Sequence, residues 1–194
     1  MSRENLPTRT RILEATLKLL EDGEGSKVRM SDIAKAANVS RQAVYLHFPG
    51  RADLLTETTR YVDQINDIDA LLQESRNAST GRERLVAWVD VWGNYIPKIY
   101  GVAKALLAMK DTDDEALTAW NDRMNAVREG CEAVITALQR DGALNPTLTE
   151  KEATDMLWTV LSVRSWEHLR QDCGWSQETY IQKTTIILER ALVA

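Results

Sequence analysis

The chain has 194 residues, with 24 Lys/Arg against 29 Asp/Glu for a net charge of −5, and two cysteines, Cys131 and Cys173. That length supports one or two domains with a real core. No run approaches the roughly 18 apolar residues of a membrane-spanning helix. Met1-Ser-Arg-Glu-Asn-Leu-Pro7 has no apolar segment of signal-peptide type, and the distant cysteines suit reduced thiols in a cytoplasmic protein better than a disulfide framework or a zinc site.

In chain order, a first helix is predicted over about Thr8 to Glu21, with Leu13, Leu17 and Leu20 on one face and Gly23 and Gly25 ending it. Met30 to Phe48 then reads as two short helices joined by a tight turn. Ile33, Ala34 and Ala37 form a small apolar stripe on the first, where alanines allow close approach of a crossing helix. Asn38 falls where the chain turns sharply and tolerates the left-handed conformation. Val39 plugs the corner, and Ser40 is a good N-cap for the second helix.

Rotating that second helix by about 100° per residue sorts its side chains. Val44 and Phe48 face inward. Gln42, Ala43 and Leu46 face the opposite way, where the floor of a DNA major groove would lie, with Leu46 suited to a thymine methyl. Tyr45 and His47 occupy the flanks, within reach of phosphates, and Arg41 in the first turn can reach a base edge or a phosphate. An ordinary helical hairpin in a core is the alternative.

From Arg51 to about Glu74 one long periodic helix is predicted, through Leu54, Leu55, Thr58, Val62, Ile65, Ile68 and Leu72, followed by a polar break at Ser75 to Thr80. Thr80-x-x-Glu83, Thr112-x-x-Glu115 and Thr149-x-x-Glu152 are candidate capping boxes. They divide the remainder into helices at about 81–95, 97–109, 113–140 and 150–172. Pro97 separates the first two, Gly142 and Pro146 follow the third, and Gly174 ends the fourth. Ser176 caps a last helix running to about Leu192. No strand alternation is evident, so the chain is expected to be all-α with about nine helices.

Charge and aromatic residues are unevenly distributed. Residues 1–60 hold 10 Lys/Arg against 8 Asp/Glu, a net of +2, and residues 61–194 a net of −7. All six tryptophans lie beyond residue 60. Trp88, Trp92 and Tyr95 share a helical face, and Trp120 and Met124 share another with Leu117, Val127, Cys131 and Leu138. Such stripes are equally at home in a core or around a flat apolar ligand. Trp88, Trp92, Tyr95, Trp120, Met124 and Trp158 are the candidate ligand-binding residues, and Gly130 inside its helix marks a close contact or a bend. Met156, Leu157, Val160, Leu161 and Val163, and then Tyr180, Ile181, Thr184, Ile187, Leu188 and Leu192, cover more than one face of the last two helices. That predicts burial on two sides, one of them against a second subunit.

Helix 1 (Ile12 to Leu20), Asp32-Ile-Ala34, Val39-Ser40, Tyr45-Leu-His-Phe48 and Arg51-Ala-Asp-Leu-Leu55 together resemble the DNA-binding domain of TetR-family transcriptional regulators, over roughly residues 8 to 60. The resemblance implies a homodimer that holds an operator through two helix-turn-helix heads and releases it when a small molecule enters the C-terminal domain. Asn38 stands where the family usually has glycine. Val28-Arg29-Met30-Ser31 replaces the usual threonine at the start of helix 2, so the cap shifts or is Ser31 itself. Arg51 replaces the usual lysine, keeping a charge for a phosphate.

The expected layout is therefore a three-helix DNA-binding domain over 1–52 and a helical ligand-sensing and dimerisation domain over 53–194. DNA contacts are assigned to Ser31, Ser40, Arg41, Gln42, Ala43, Tyr45, Leu46, His47 and Arg51. The partners expected are a palindromic double-stranded operator, a second copy joined through the last two helices, and a small-molecule effector, with no cofactor, metal or membrane. A helical adaptor and a small helical enzyme are the competing classes. The enzyme has little support: there are two histidines, His47 and His168, no phosphate-cradling glycine loop and no nucleophile elbow. Glu167 and His168 are adjacent on a helix, so their side chains diverge.

Overall fold

The computed structural model describes residues 6–23 and 28–194. The helices are α1 (Thr8–Asp22), α2 (Met30–Ala36), α3 (Arg41–His47), α4 (Arg51–Ile65), α5 (Ile68–Leu71), α6 (Gln73–Asn77), α7 (Gly81–Met109), α8 (Asp114–Arg140), α9 (Glu150–Val160), α10 (Val163–Glu167) and α11 (Gln177–Leu192). A π-helical turn, His168–Asp172, continues α10. Among the described residues there is no strand, only an isolated antiparallel bridge between Leu144 and Val193. Gly25, expected to help end α1, lies outside the described residues.

The chain forms two compact units. The first comprises residues up to Asn66 together with Ile99–Met124, and the second Asp67–Lys98 with Asn125–Ala194. By packing, the first unit thus extends past the three-helix segment 1–52 to Asn66 and also takes in the end of α7 and the start of α8.

The core of the first unit gathers Ile12, Leu13 and Leu20 of α1, Ile33 and Ala34 of α2, Val44 and Phe48 around α3, and Leu54, Leu55 and Val62 of α4. Val102, Leu106 and Met109 of α7 and Ala116 and Ala119 of α8 complete it. Leu17 is half-buried against this core. Thr16 and Thr58 are buried without loss, because each hydroxyl donates to the carbonyl one turn back, Ile12 O at 2.8 Å and Leu54 O at 2.7 Å. Ion pairs join α4 to α8 on the outside, Arg60 to Asp122 at 2.8 Å and Arg123 to Asp63 at 2.5 Å.

Three predicted boundaries and one predicted cap change. The helix expected to run from Arg51 to Glu74 stops at Ile65. The Asn66 side chain donates to Val62 O, and Asp67, at φ 49°, turns left-handed and caps α5 by accepting from Ala70 N. The helix expected over 150–172 breaks at Leu161, where Ser162 accepts from Ser165 N and starts α10. Of the three capping boxes, those at Thr80–Glu83 and Thr149–Glu152 form. The one at Thr112 does not: its hydroxyl donates back to Met109 O, and Asp113 receives Glu115 N and Ala116 N in its place.

Pro97 is the third of these boundaries. It does not divide two helices but sits inside α7. A proline removes the N–H that would satisfy the carbonyl four residues earlier, which here is Gly93 O. The Gln177 side-chain amide at the start of α11 donates to that carbonyl, while its oxygen accepts from Trp166 Nε1 at 3.2 Å. Gly93 itself has no room for a side chain, since a Cβ there would stand 2.6 Å from Ile181 Cγ1. Proline, glycine and glutamine together seat α11 against α7 in the second unit.

Candidate nucleic-acid interface and effector-binding residues

The turn between α2 and α3 is built as its residues dictate. Asn38 adopts φ 54°, the left-handed region, and its N–H donates to Lys35 O. Val39 N donates to Ala34 O, and Val39 packs against the core. Ser40 Oγ accepts from Ala43 N at 3.1 Å, capping α3, an interaction of about 1 kcal/mol. Helix α3 is then pinned by Val44 and Phe48, 0% and 1% exposed. With those two fixed inward, Arg41, Gln42, Tyr45, Leu46 and His47 are left exposed and Ala43 half-buried. Leu46 is 85% exposed, far more than any other large apolar side chain described.

Arg41 does not extend freely. Its guanidinium donates to Tyr45 Oη at 3.3 Å and lies 5.6 Å from the centre of that ring, so the pair forms one cationic, aromatic flank of α3. Sequence reasoning missed Arg9, which lies over the Phe48 ring at 5.1 Å and pairs with Glu57, adding a positive charge from α1 beside the end of α3.

One expected cap and one expected phosphate contact need correction. Ser31 is not the cap of α2. Arg29 occupies that position with no side-chain cap, and Ser31 is an exposed residue within the first turn. Arg51 opens α4 as expected but is 5% exposed. Its guanidinium donates to Val28 O and contacts Asp113 at 2.9 Å and Glu115 at 3.1 Å. Committed to three acceptors inside the first unit, it is not offered to a phosphate. The resemblance at this position was one of sequence, and the acidic partners 62 and 64 residues further on give the charge another use.

The six candidate ligand residues do not form one group. Trp88, Trp92 and Tyr95 do come together in the second unit, as successive edge-to-face pairs with ring centres 5.6 Å apart. All three are buried. Gly130 of α8 is the close contact expected, because a Cβ there would fall on the six-membered ring of Trp88. Beside it, burial pushes the Cys131 thiol up to about 12, against which the Trp88 N–H and Arg128 act weakly. The Trp92 indole N–H is buried without a hydrogen-bond partner.

Trp158 stands elsewhere in this unit, under the Arg128 guanidinium at 5.3 Å. Trp120 and Met124 belong to the first unit, where Trp120 packs against the core. An open cleft of about 300 Å³ beside α8 and α9 is lined by Arg128, Glu132, Thr136, Glu150, Lys151 and Thr154, and contains none of the six.

A capped, anchored α3 presenting polar and apolar reading residues after a crossing α2 is the helix-turn-helix of a DNA-binding regulator. Residues 12–58 match the family model for bacterial regulatory proteins of the tetR family. The transcriptional regulator EthR of Mycobacterium tuberculosis is 31% identical over 75% of this chain and 68% of its own length. Another curated relative is matched over about half of its length. A transcriptional regulator from Saccharomonospora viridis, solved in complex with choline, superposes with a TM-score of 0.73 at 22% identity over 96% of this chain and 97% of its own. The regulator FadR of Bacillus subtilis, solved with stearoyl-CoA, gives 0.75 at 17% identity over 94% and 98%. The chain belongs to the TetR family of bacterial regulatory proteins.

Proposed function

We propose that the protein is a repressor that holds a palindromic operator as a homodimer and leaves it when a small apolar or aromatic effector binds. The observation that carries the reading is α3: Val44 and Phe48 anchor it so that Gln42, Leu46 and the Arg41–Tyr45 pair face outward together. No catalytic role is assigned to any residue, and operator binding sets the site of action in the cytoplasm.

Pairing of two copies is supported by the apolar side chains left exposed on α9 and α11, Met156, Ile186 and Ile187, which are 38%, 39% and 51% exposed. The other faces of these helices are spent inward through Leu157, Tyr180, Thr184, Leu188 and Leu192. A two-fold pair would place two α3 helices one or more DNA turns apart. For the effector, the supporting feature is the buried Trp88–Trp92–Tyr95 ladder, an apolar cluster that includes the unpartnered Trp92 N–H. Choline and stearoyl-CoA in the two structural neighbours show how widely ligand chemistry varies on this fold.

An effector acts only through different affinities for the operator-bound and released states. Electrophoretic shift with DNA flanking the protein's own gene is expected to give a saturable complex, dissolved by acyl or aromatic compounds that quench tryptophan fluorescence. A compound that quenches the ladder yet leaves operator affinity unchanged would overturn the coupling. Absence of a specific complex with any duplex would overturn the repressor reading itself.

A further inference from the structure

The reading face of α3 has an unusual chemistry once its hydrogen-bonding groups are accounted for. Of the exposed side chains, Arg41 is drawn onto Tyr45, with its guanidinium on the phenol oxygen and ring. That pair lies on the flank, Arg41 about 60° and Tyr45 about 100° around the helix from the buried Val44. His47 flanks the other side and leans on the Phe48 ring, with centres 6.4 Å apart. The face directly opposite Val44 and Phe48 is left with Gln42, Ala43 and Leu46. Gln42 and Leu46 stand one turn apart, and Ala43 is half-buried between them.

Only one of these three can hydrogen-bond a base edge. A glutamine amide pairs in bidentate fashion with adenine N6 and N7, whereas guanine is read by arginine or lysine, and Arg41 is folded onto Tyr45 at the flank rather than on this face. Leu46 can contribute only apolar contact, and it is 85% exposed with nothing in its own unit packed over it. In the major groove, the apolar feature that distinguishes one base from the others is the thymine 5-methyl group.

We infer that Leu46 reads a thymine through its 5-methyl group, in an A·T-containing step whose adenine pairs with Gln42. The inference rests on the DNA-binding reading above and deepens it by naming the base feature recognised. Leu46 carries the sequence preference at its position, and the Arg41–Tyr45 flank holds the backbone without reading bases.

The test uses the full chain and duplexes selected by it from a pool with a random central segment. Each thymine of the enriched site is replaced in turn by deoxyuridine, which removes only the methyl group. The wild-type protein is expected to lose about fourfold in affinity at one thymine in each half-site, the effect of one methyl buried from water. Leu46→Ala is expected to show no loss at that thymine and to keep its sensitivity elsewhere. Since the side chain is exposed, its thermal midpoint is expected to match that of the wild type. At the same position 5-methylcytosine is expected to bind the wild type more tightly than cytosine does.

Indifference of the wild type to every uridine substitution would overturn the inference while leaving DNA binding intact. An undiminished methyl effect in Leu46→Ala would do the same. Failure to enrich any duplex would instead remove the DNA-binding reading, and the inference with it.

Discussion

Arg51 and Asp113 lie 2.9 Å apart, both nearly inaccessible to water, and tie the first turn of α4 to the cap of α8. The same guanidinium holds Val28 O, the last backbone carbonyl but one before α2. One side chain thus fixes the entrance to the helix-turn-helix, the start of α4 and the start of α8 within the first unit. A buried charge pair of this kind contributes little against a well-packed apolar replacement, but removing one partner strands the other.

Arg51→Ala and Asp113→Ala are each expected to lower unfolding free energy by about 3–5 kcal/mol, read from the midpoint of a denaturant titration. The double variant is expected to lose clearly less than the two single losses added together. Among variants that remain folded, the slope of log affinity for DNA against log salt is expected to stay at the wild-type value, because no phosphate contact has gone. A slope shallower by about 1 for each head would return Arg51 to the DNA backbone.

The Gly93 carbonyl depends on Gln177 only because Pro97 cannot supply the helical N–H. Gln177→Leu therefore leaves the buried Gly93 carbonyl without its donor and removes the oxygen that accepts from Trp166 Nε1, and is expected to cost about 1–3 kcal/mol. In a Pro97→Ala background the helix supplies its own donor to Gly93, so the same change is expected to cost measurably less. Equal losses in both backgrounds would show that Gln177 acts through Trp166 alone.

An alanine in the middle of a helix is ordinarily about 1 kcal/mol better than glycine. At position 130 the sign is expected to reverse, since the added methyl would occupy the Trp88 ring and that ring is held edge-on by Trp92. Gly130→Ala is expected to lose about 1–3 kcal/mol as overpacking, with a changed near-ultraviolet dichroism signal from the ladder. A stabilised variant with an unchanged spectrum would mean that the ring moves aside freely.

What the sequence revealed and concealed follows the range of the interactions involved. Ser40, Ser176, Thr80 and Thr149 were legible as caps because each accepts from a backbone N–H only three residues ahead. Asn38 was legible because a left-handed turn selects few residue types. Thr112 failed because Glu115, its expected partner, is taken by Arg51 from 64 residues away. Pro97 failed as a helix breaker because its compensation comes from Gln177, and nothing near Gly93 in the chain announces it. The periodicity that put Trp88, Trp92 and Tyr95 on one face was correct. It could not reveal that Trp120 and Met124 belong to the other unit, because helical spacing carries no information on which neighbour a face meets.

The two cysteines are expected to differ sharply, and pH then exposes the cost of burying one of them. Cys173 is exposed and Cys131 fully buried. The thiolate is the reactive form, and burial holds the Cys131 thiol near 12 against its ordinary 9.0. A disulfide-exchange reagent at pH 8 is expected to label one thiol per native chain quickly and the second only on unfolding. Tyr180, also raised to about 12 by burial from 10.0, behaves in the same sense. Both groups are neutral in folded and unfolded chains below pH 9, so their full contribution to stability is present there. Above 9 for Cys131, and above 10 for Tyr180, the unfolded chain gives up the proton while the folded chain keeps it. Stability accordingly falls with rising pH, by up to about 1.4 kcal/mol per pH unit for each group, until the folded thiol and phenol ionise near 12. Denaturation midpoints measured from pH 7 to 11 are expected to be flat and then to decline from about pH 9. In Cys131→Ala the onset moves up by roughly one unit, to the range where Tyr180 alone titrates. An onset unchanged by that substitution would mean that Cys131 is not kept neutral by its burial beside Trp88.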